Sequence, residues 1–189
     1  MEQDYQTKIS NEEEVLILRS KEDSTAFKPL YEKYYKTIFL FILHRTAEKE
    51  LTADLTSQVF LKALLNIGRY NFRGLPFSAW LYRIAINECN DYFRKSKRAR
   101  IVVLEDDLAD FLYEEMFAQD GLEDLKQRLP EILKQLKYEE LQLIELRFME
   151  NRPFKEVADI LGITENYAKV RTYRILEKMK KLFIGHAKH

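Results

Sequence analysis

Asn166, Lys169, Val170, Tyr173, Arg174 and Glu177 recur at three- and four-residue intervals, with Arg171 at the border of the same face. On a helix that spacing gathers them into one stripe. Amide, ammonium and guanidinium donors in such a stripe can reach base edges in a DNA major groove, where a good bidentate pair discriminates by about 1–3 kcal/mol. Earlier in the chain a second set offers different chemistry. The stretch IGRYNFRGLP holds Arg69, Tyr70, Phe72 and Arg73 among glycines, and the run FRKSKRAR adds Arg94, Lys95, Lys97, Arg98 and Arg100. Such cations neutralise phosphates whatever the base sequence. Tyr70 and Phe72 can stack on unpaired bases, worth about 1–3 kcal/mol per base, or they can belong to a core. Phe77 and Trp80, on a helical apolar stripe, are expected in the core. Covalent chemistry has no comparable candidates. His44, His186 and His189 lack metal-ligand spacing, Cys89 has no His partner in the sequence, and no phosphate-binding glycine loop occurs. No catalytic residue, metal or cofactor is expected.

The first set needs a particular local frame. Phe154 to Leu161 is a short amphipathic run with Val157, Ala158 and Leu161 on one face. Gly162 can take the positive φ that ends a helix, Ile163 can plug the elbow, and Thr164 can cap a second helix from Glu165. That helix turns Ala168, Thr172, Ile175, Met179 and Leu182 inward. Ala158 is small enough to let two helices cross closely. The layout is that of a DNA-binding helix-turn-helix; a plain helical hairpin with a solvated basic face has the same outline.

Long periodic runs rich in Leu, Glu, Lys and Ile, with only five Gly and four Pro in 189 residues, predict an all-α chain. Helices are expected over Asn11–Ser20 (capped by Ser10 or Asn11), Ser24–Arg45, Leu51–Asn66, Phe77–Lys97, from Leu122 onward, and over Glu139–Glu150 ahead of the helix-turn-helix. The formal net charge is zero, but charge is segregated: Glu105 to Asp124 holds nine acids and no Lys or Arg. Two small helical domains, 1–98 and 122–189, joined by an acidic linker over 99–121 with a local helix around Phe111–Phe117, are the expected organisation. A single cysteine, a polar MEQDYQTK opening and a longest apolar run of Ile38 to Leu43 predict a soluble cytoplasmic protein without membrane insertion.

The stretch LPFSAWLYRIAINECNDYFRKSKR resembles the promoter-melting segment of the extracytoplasmic-function class of the bacterial sigma-70 family, through Phe77, Ala79, Trp80, Leu81, Arg83, Ile84, Ala85, Asn87 and Arg94. LTADLTSQVFLKAL, Leu51 to Leu64, is similar to that family's core-binding helix. Ile144–Phe148, Lys155–Ala158, Leu161, Gly162, Thr164, Glu165, Lys169 and Arg171 resemble its C-terminal domain. There are departures: the family's usual Ala-Glu-Asp is Thr52-Ala53-Asp54 and its Gln falls one place late at Gln58. Ala168 replaces a β-branched residue and Val170 a small polar one. The resemblance implies docking on core RNA polymerase through Asp54, Ser57, Gln58 and Lys62. It implies reading of upstream promoter DNA by Asn166, Lys169, Val170, Arg171 and Arg174. The melted element would be held by Arg69, Tyr70, Phe72, Arg73, Asn87, Arg94, Lys95, Lys97 and Arg98, with Asn87 facing an extruded base. It further implies an anti-sigma partner and a linker lying in a positive channel of the polymerase. The alternative is a stand-alone regulator binding a symmetric operator as a dimer.

Overall fold

The computed structural model describes the backbone of residues 2–71, 75–96, 112, 116 and 122–186, and the side chains of residues 12–71, 75–96, 112, 116 and 128–184. The linker over 99–121, its local helix apart from a helical, buried Leu112 and Met116, and Phe72, Arg73, Lys97, Arg98 and Arg100 lie outside the described residues. Among the described residues every regular element is helical. Internal contacts divide the chain into two compact units, Met1–Val103 and Leu104–His189.

In the first unit α1 (Glu2–Glu22) runs straight through Ser10 and Asn11, the expected caps. The flanking Gln, Lys and Glu residues are adequate helix formers, so nothing obliges the helix to start there. The expected Ser24–Arg45 helix is instead a 3-10 turn, Ser24–Phe27, followed by α2 (Lys28–Thr46). Asp23 accepts the Thr25 N–H at 2.9 Å and so caps the turn, and Pro29, lacking an N–H, falls in the first turn of α2, where none is needed. Ala47, at φ 54°, reverses the chain into α3 (Lys49–Asn66), and a 3-10 turn at Ile67–Arg69 leads toward α4 (Phe77–Ser96).

Helices α2, α3 and α4 pack on one another. Leu30, Ile38, Phe41, Ile42, Val59, Phe77, Leu81 and Tyr82 are fully enclosed, each apolar side chain contributing roughly 1.5–3 kcal/mol of burial. The Phe41 and Tyr82 rings meet edge-to-face at 4.8 Å. Helix α1 secures the entry to α4: Glu13 accepts the Phe77 backbone N–H at 3.2 Å and the Tyr34 hydroxyl with its other oxygen. Lys21 Nζ donates to the Tyr70 carbonyl at 2.7 Å. The start of α4 is thus capped from a helix far away in sequence.

In the second unit α5 (Leu122–Lys134) buries Leu129, Ile132 and Leu133. The expected Glu139–Glu150 helix is α6 (Tyr138–Ile144) continued by one π turn, Glu145–Met149, in which Glu150 N–H reaches back to the Glu145 carbonyl at 2.9 Å. Asn151, at φ 48°, then turns the chain into α7 (Phe154–Leu161), and α8 (Glu165–His186) follows. Leu143, Ile144, Leu146, Val157, Ile160, Ala168, Ile175, Leu176 and Met179 form the core.

Candidate nucleic-acid interface

The elbow between α7 and α8 is built by local chemistry. Gly162 has φ 69° and ψ 34°, left-handed values that suit glycine. Its N–H turns back to the Ala158 and Asp159 carbonyls, and the Ile163 N–H reaches the Ala158 carbonyl at 2.9 Å, closing α7. The Thr164 hydroxyl accepts the Tyr167 N–H at 3.2 Å and opens α8. Ala158 is buried at this crossing.

The elbow presents one face of α8. Asn166, Lys169, Val170, Tyr173, Arg174 and Glu177 are exposed along it, as their spacing predicts, while Ala168, Thr172, Ile175 and Met179 face inward. Tyr167 is exposed as well, a contributor that the stripe's periodicity did not single out. The Tyr173 ring leans on Phe154 of α7 at 6.3 Å, fixing that edge.

Arg171 departs from the expectation. Its guanidinium lies 3.5 Å from a Glu140 carboxylate oxygen and faces α6 instead of standing with the exposed donors. Lys178 donates to the other Glu140 oxygen at 2.7 Å, and that oxygen also accepts the Lys137 backbone N–H at 2.9 Å. Burial pushes the Glu140 carboxyl up, but these hydrogen bonds and the two cations outweigh it and hold it below the usual carboxylate range. Glu140 is an organising residue that sequence reasoning missed.

In the first unit the α3–α4 surface holds an open groove of about 670 Å³. Lys62 and Asn66 line it from α3, Arg69 from the following turn, and Trp80, Asn87 and Arg94 from α4. Residues 80, 87 and 94 are seven apart, two helical turns, so α4 offers one stripe of ring, amide and guanidinium. Asn87 is exposed, and Arg94 is paired with Asp91 at 2.9 Å on the rim. Arg69, Asn87 and Arg94 therefore converge, and Lys95 is exposed but does not line the groove.

Two assignments change here. Tyr70 is only 8% exposed, its ring packed 5.3 Å from Phe77 and 4.9 Å from Trp80, so it is a core residue and presents no free face for stacking. The apolar surroundings of Phe77 draw it in, and Lys21 holds its carbonyl from behind. Lys62 pairs with the buried Glu88 and lines the groove instead of joining Asp54, Ser57 and Gln58. Those three are exposed on α3, and the same stripe continues to Leu61 and Leu65, 55% and 73% exposed, which polar motif matching overlooked. Among the described residues no three His, Cys, Asp or Glu side chains are grouped to hold a metal ion, and no helix is long and apolar enough to cross a membrane.

Residues 30–99 match the family model for sigma-70 region 2, and residues 132–181 that for sigma-70 region 4. The ECF RNA polymerase sigma factor BldN of Streptomyces coelicolor is 32% identical over 88% of this chain, which spans 63% of BldN's own length. The ECF RNA polymerase sigma factor SigM of Bacillus subtilis is 26% identical over 82% of this chain and 93% of its own. Among solved structures, CnrH in complex with the cytosolic domain of CnrY aligns with a TM-score of 0.60 at 17% identity, over 90% of this chain and 96% of CnrH, a likeness of fold.

Proposed function

We propose, for a chain that belongs to the sigma-70 family in its extracytoplasmic-function class, that it directs core RNA polymerase to promoters and assists strand opening. The observation that carries this reading is the pairing of two nucleic-acid surfaces in one chain: an exposed α8 stripe behind the Gly162 elbow, and a groove of Arg69, Asn87 and Arg94 within the region-2 match. One suits duplex and the other suits an opened strand.

In this mechanism Asn166, Lys169, Val170 and Arg174 enter the major groove of the upstream element. Arg69, Arg94 and Lys95 neutralise phosphates of the melted element, and Asn87 meets an extruded base. The open α3–α4 groove, of about 670 Å³, has the volume for such a base, and Trp80 gives it an aromatic wall. Asp54, Ser57 and Gln58, with Leu61 and Leu65 beside them, supply the polymerase-facing surface; exposed leucines rimmed by polar groups are typical of a protein interface. The acidic stretch over residues 105–124 repels DNA from the free chain and suits a positive channel in the polymerase. Bond-making remains with the polymerase, and the chain works in the cytoplasm beside it. An anti-sigma partner belongs to the same reading.

The test compares promoter DNA binding by the isolated chain and by its complex with core polymerase. The chain alone binds duplex weakly, and the complex binds it tightly and selectively. Tight, sequence-specific binding of a symmetric site by the chain alone belongs instead to a stand-alone dimeric regulator.

A further inference from the structure

Helix α8 carries more cations than its exposed stripe displays. Arg171 and Lys178 stand seven residues apart, two turns along one flank, and both are drawn to a single carboxylate. That carboxylate is on Glu140 of α6, whose side chain is only 9% exposed, whereas the Arg171 and Lys178 side chains are 37% and 38% exposed. The cations are therefore near the surface and their anchor is beneath it. Lys178 Nζ also lies 3.4 Å from the Gln135 carbonyl, and the Lys137 N–H occupies Glu140 from a third side. An ionised acceptor with three donors, shielded from solvent, does not release them readily.

We propose that Glu140 is a positioning residue for DNA recognition: it withholds Arg171 and Lys178 from phosphates and so limits the sequence-independent part of binding by α8. The proposal rests on the reading of α8 as a duplex-DNA helix. Phosphate contacts add affinity for every sequence alike, whereas base contacts discriminate. With the two cations committed to Glu140, contact depends on Asn166, Lys169, Val170 and Arg174, whose exposure is unencumbered by that carboxylate. A factor that must leave non-promoter DNA quickly gains from this arrangement.

The test measures affinity of the full-length chain for a fluorescent random-sequence duplex across a series of salt concentrations, starting at low salt. Glu140→Gln keeps an acceptor for the Lys137 N–H and removes the charge. It is expected to bind more tightly, and the slope of log affinity against log salt should steepen by up to about 1.8, two phosphate contacts at about 0.9 each. Lys178→Met in the native background should leave the slope unchanged, because that charge is already committed. On a random-sequence duplex, where Arg174 has no particular base to select, its exposed guanidinium rests on phosphate, so Arg174→Ala should make the slope shallower by up to about 0.9. A Lys178→Met slope that becomes shallower overturns the proposal, and this variant decides the matter even where Glu140→Gln fails to fold. An unchanged slope in folded Glu140→Gln, beside a normal Arg174→Ala effect, removes the proposal alone. No effect of Arg174→Ala removes the DNA reading of α8 and the proposal with it.

Discussion

Glu140 shows how one side chain sets a pH dependence. Its carboxyl is held below the usual range: burial acts against ionisation, but Lys178, the Lys137 N–H and Arg171 outweigh it. A carboxylate with a lowered folded-state pKa contributes stability above its unfolded value of about 4.5, and that contribution is lost as pH falls through the folded value. Thermal unfolding of the native chain and of Glu140→Gln should therefore differ by on the order of 1–2 kcal/mol at neutral pH, and the difference should shrink as the solution is acidified below about 4.5. A gap that stays constant with pH would mean the carboxylate is not ionised in these contacts. Neither Glu140 nor Glu13 stands out in the sequence. Glu140 meets Lys178 across 38 residues and Glu13 meets the Phe77 N–H across 64, and side-chain periodicity carries no information at that range. The same limit hid the fate of Arg171, which sits where its spacing predicts but points toward Glu140, 31 residues away, whereas Tyr70 is drawn in by Phe77 and Trp80 across a stretch without periodicity.

Elements were far more legible. The α7 elbow and the α8 stripe follow from groups a few residues apart, namely the left-handed Gly162, the Thr164 hydroxyl and a three-and-four repeat, so the sequence contains all of the geometry. Two misplaced boundaries depended on turn chemistry within a helix-forming stretch, at Ser24–Phe27 and at the π turn Glu145–Met149, and the third, the start of α1, lay where good helix formers precede the Ser10 and Asn11 caps. In the candidate site, the stripe residues of α8 were readable, Asn87 came from the resemblance and Arg94 from the basic run, whereas Trp80, expected in the core, walls a groove with Lys62 and Arg69 that depends on how α3 packs on α4. The two elements should fail in different ways. Arg174→Ala on α8 should raise the promoter concentration needed and relax preference at particular upstream base pairs, by about 1–3 kcal/mol if the pair is bidentate. Asn87→Ala on α4 should leave upstream binding intact and reduce strand opening, and a promoter with a pre-melted bubble should rescue it. Permanganate reactivity of thymines on duplex and bubble templates separates the two. Normal opening of duplex by Asn87→Ala would remove the groove from the mechanism.

At the scale of the whole molecule, the proposed reading gives each of the two helical units an incomplete DNA surface. The α8 stripe offers four side chains to a major groove, and the α3–α4 groove is a single open cleft, so neither is expected to hold a promoter strongly by itself. Zero net charge with an acid-rich stretch at residues 105–124 adds no general attraction to DNA. On that reading the chain gains its specificity once the polymerase holds both surfaces on one DNA, where the second contact becomes intramolecular. The most direct measurement is transcription by purified core RNA polymerase on a library of random promoters, with and without this chain, reading the start sites and upstream sequences of the transcripts. With the chain present, transcripts should start from a subset of templates that share an upstream and a downstream element at fixed spacing. The same transcripts appearing without the chain, or no enrichment of any shared sequence in its presence, would contradict the account.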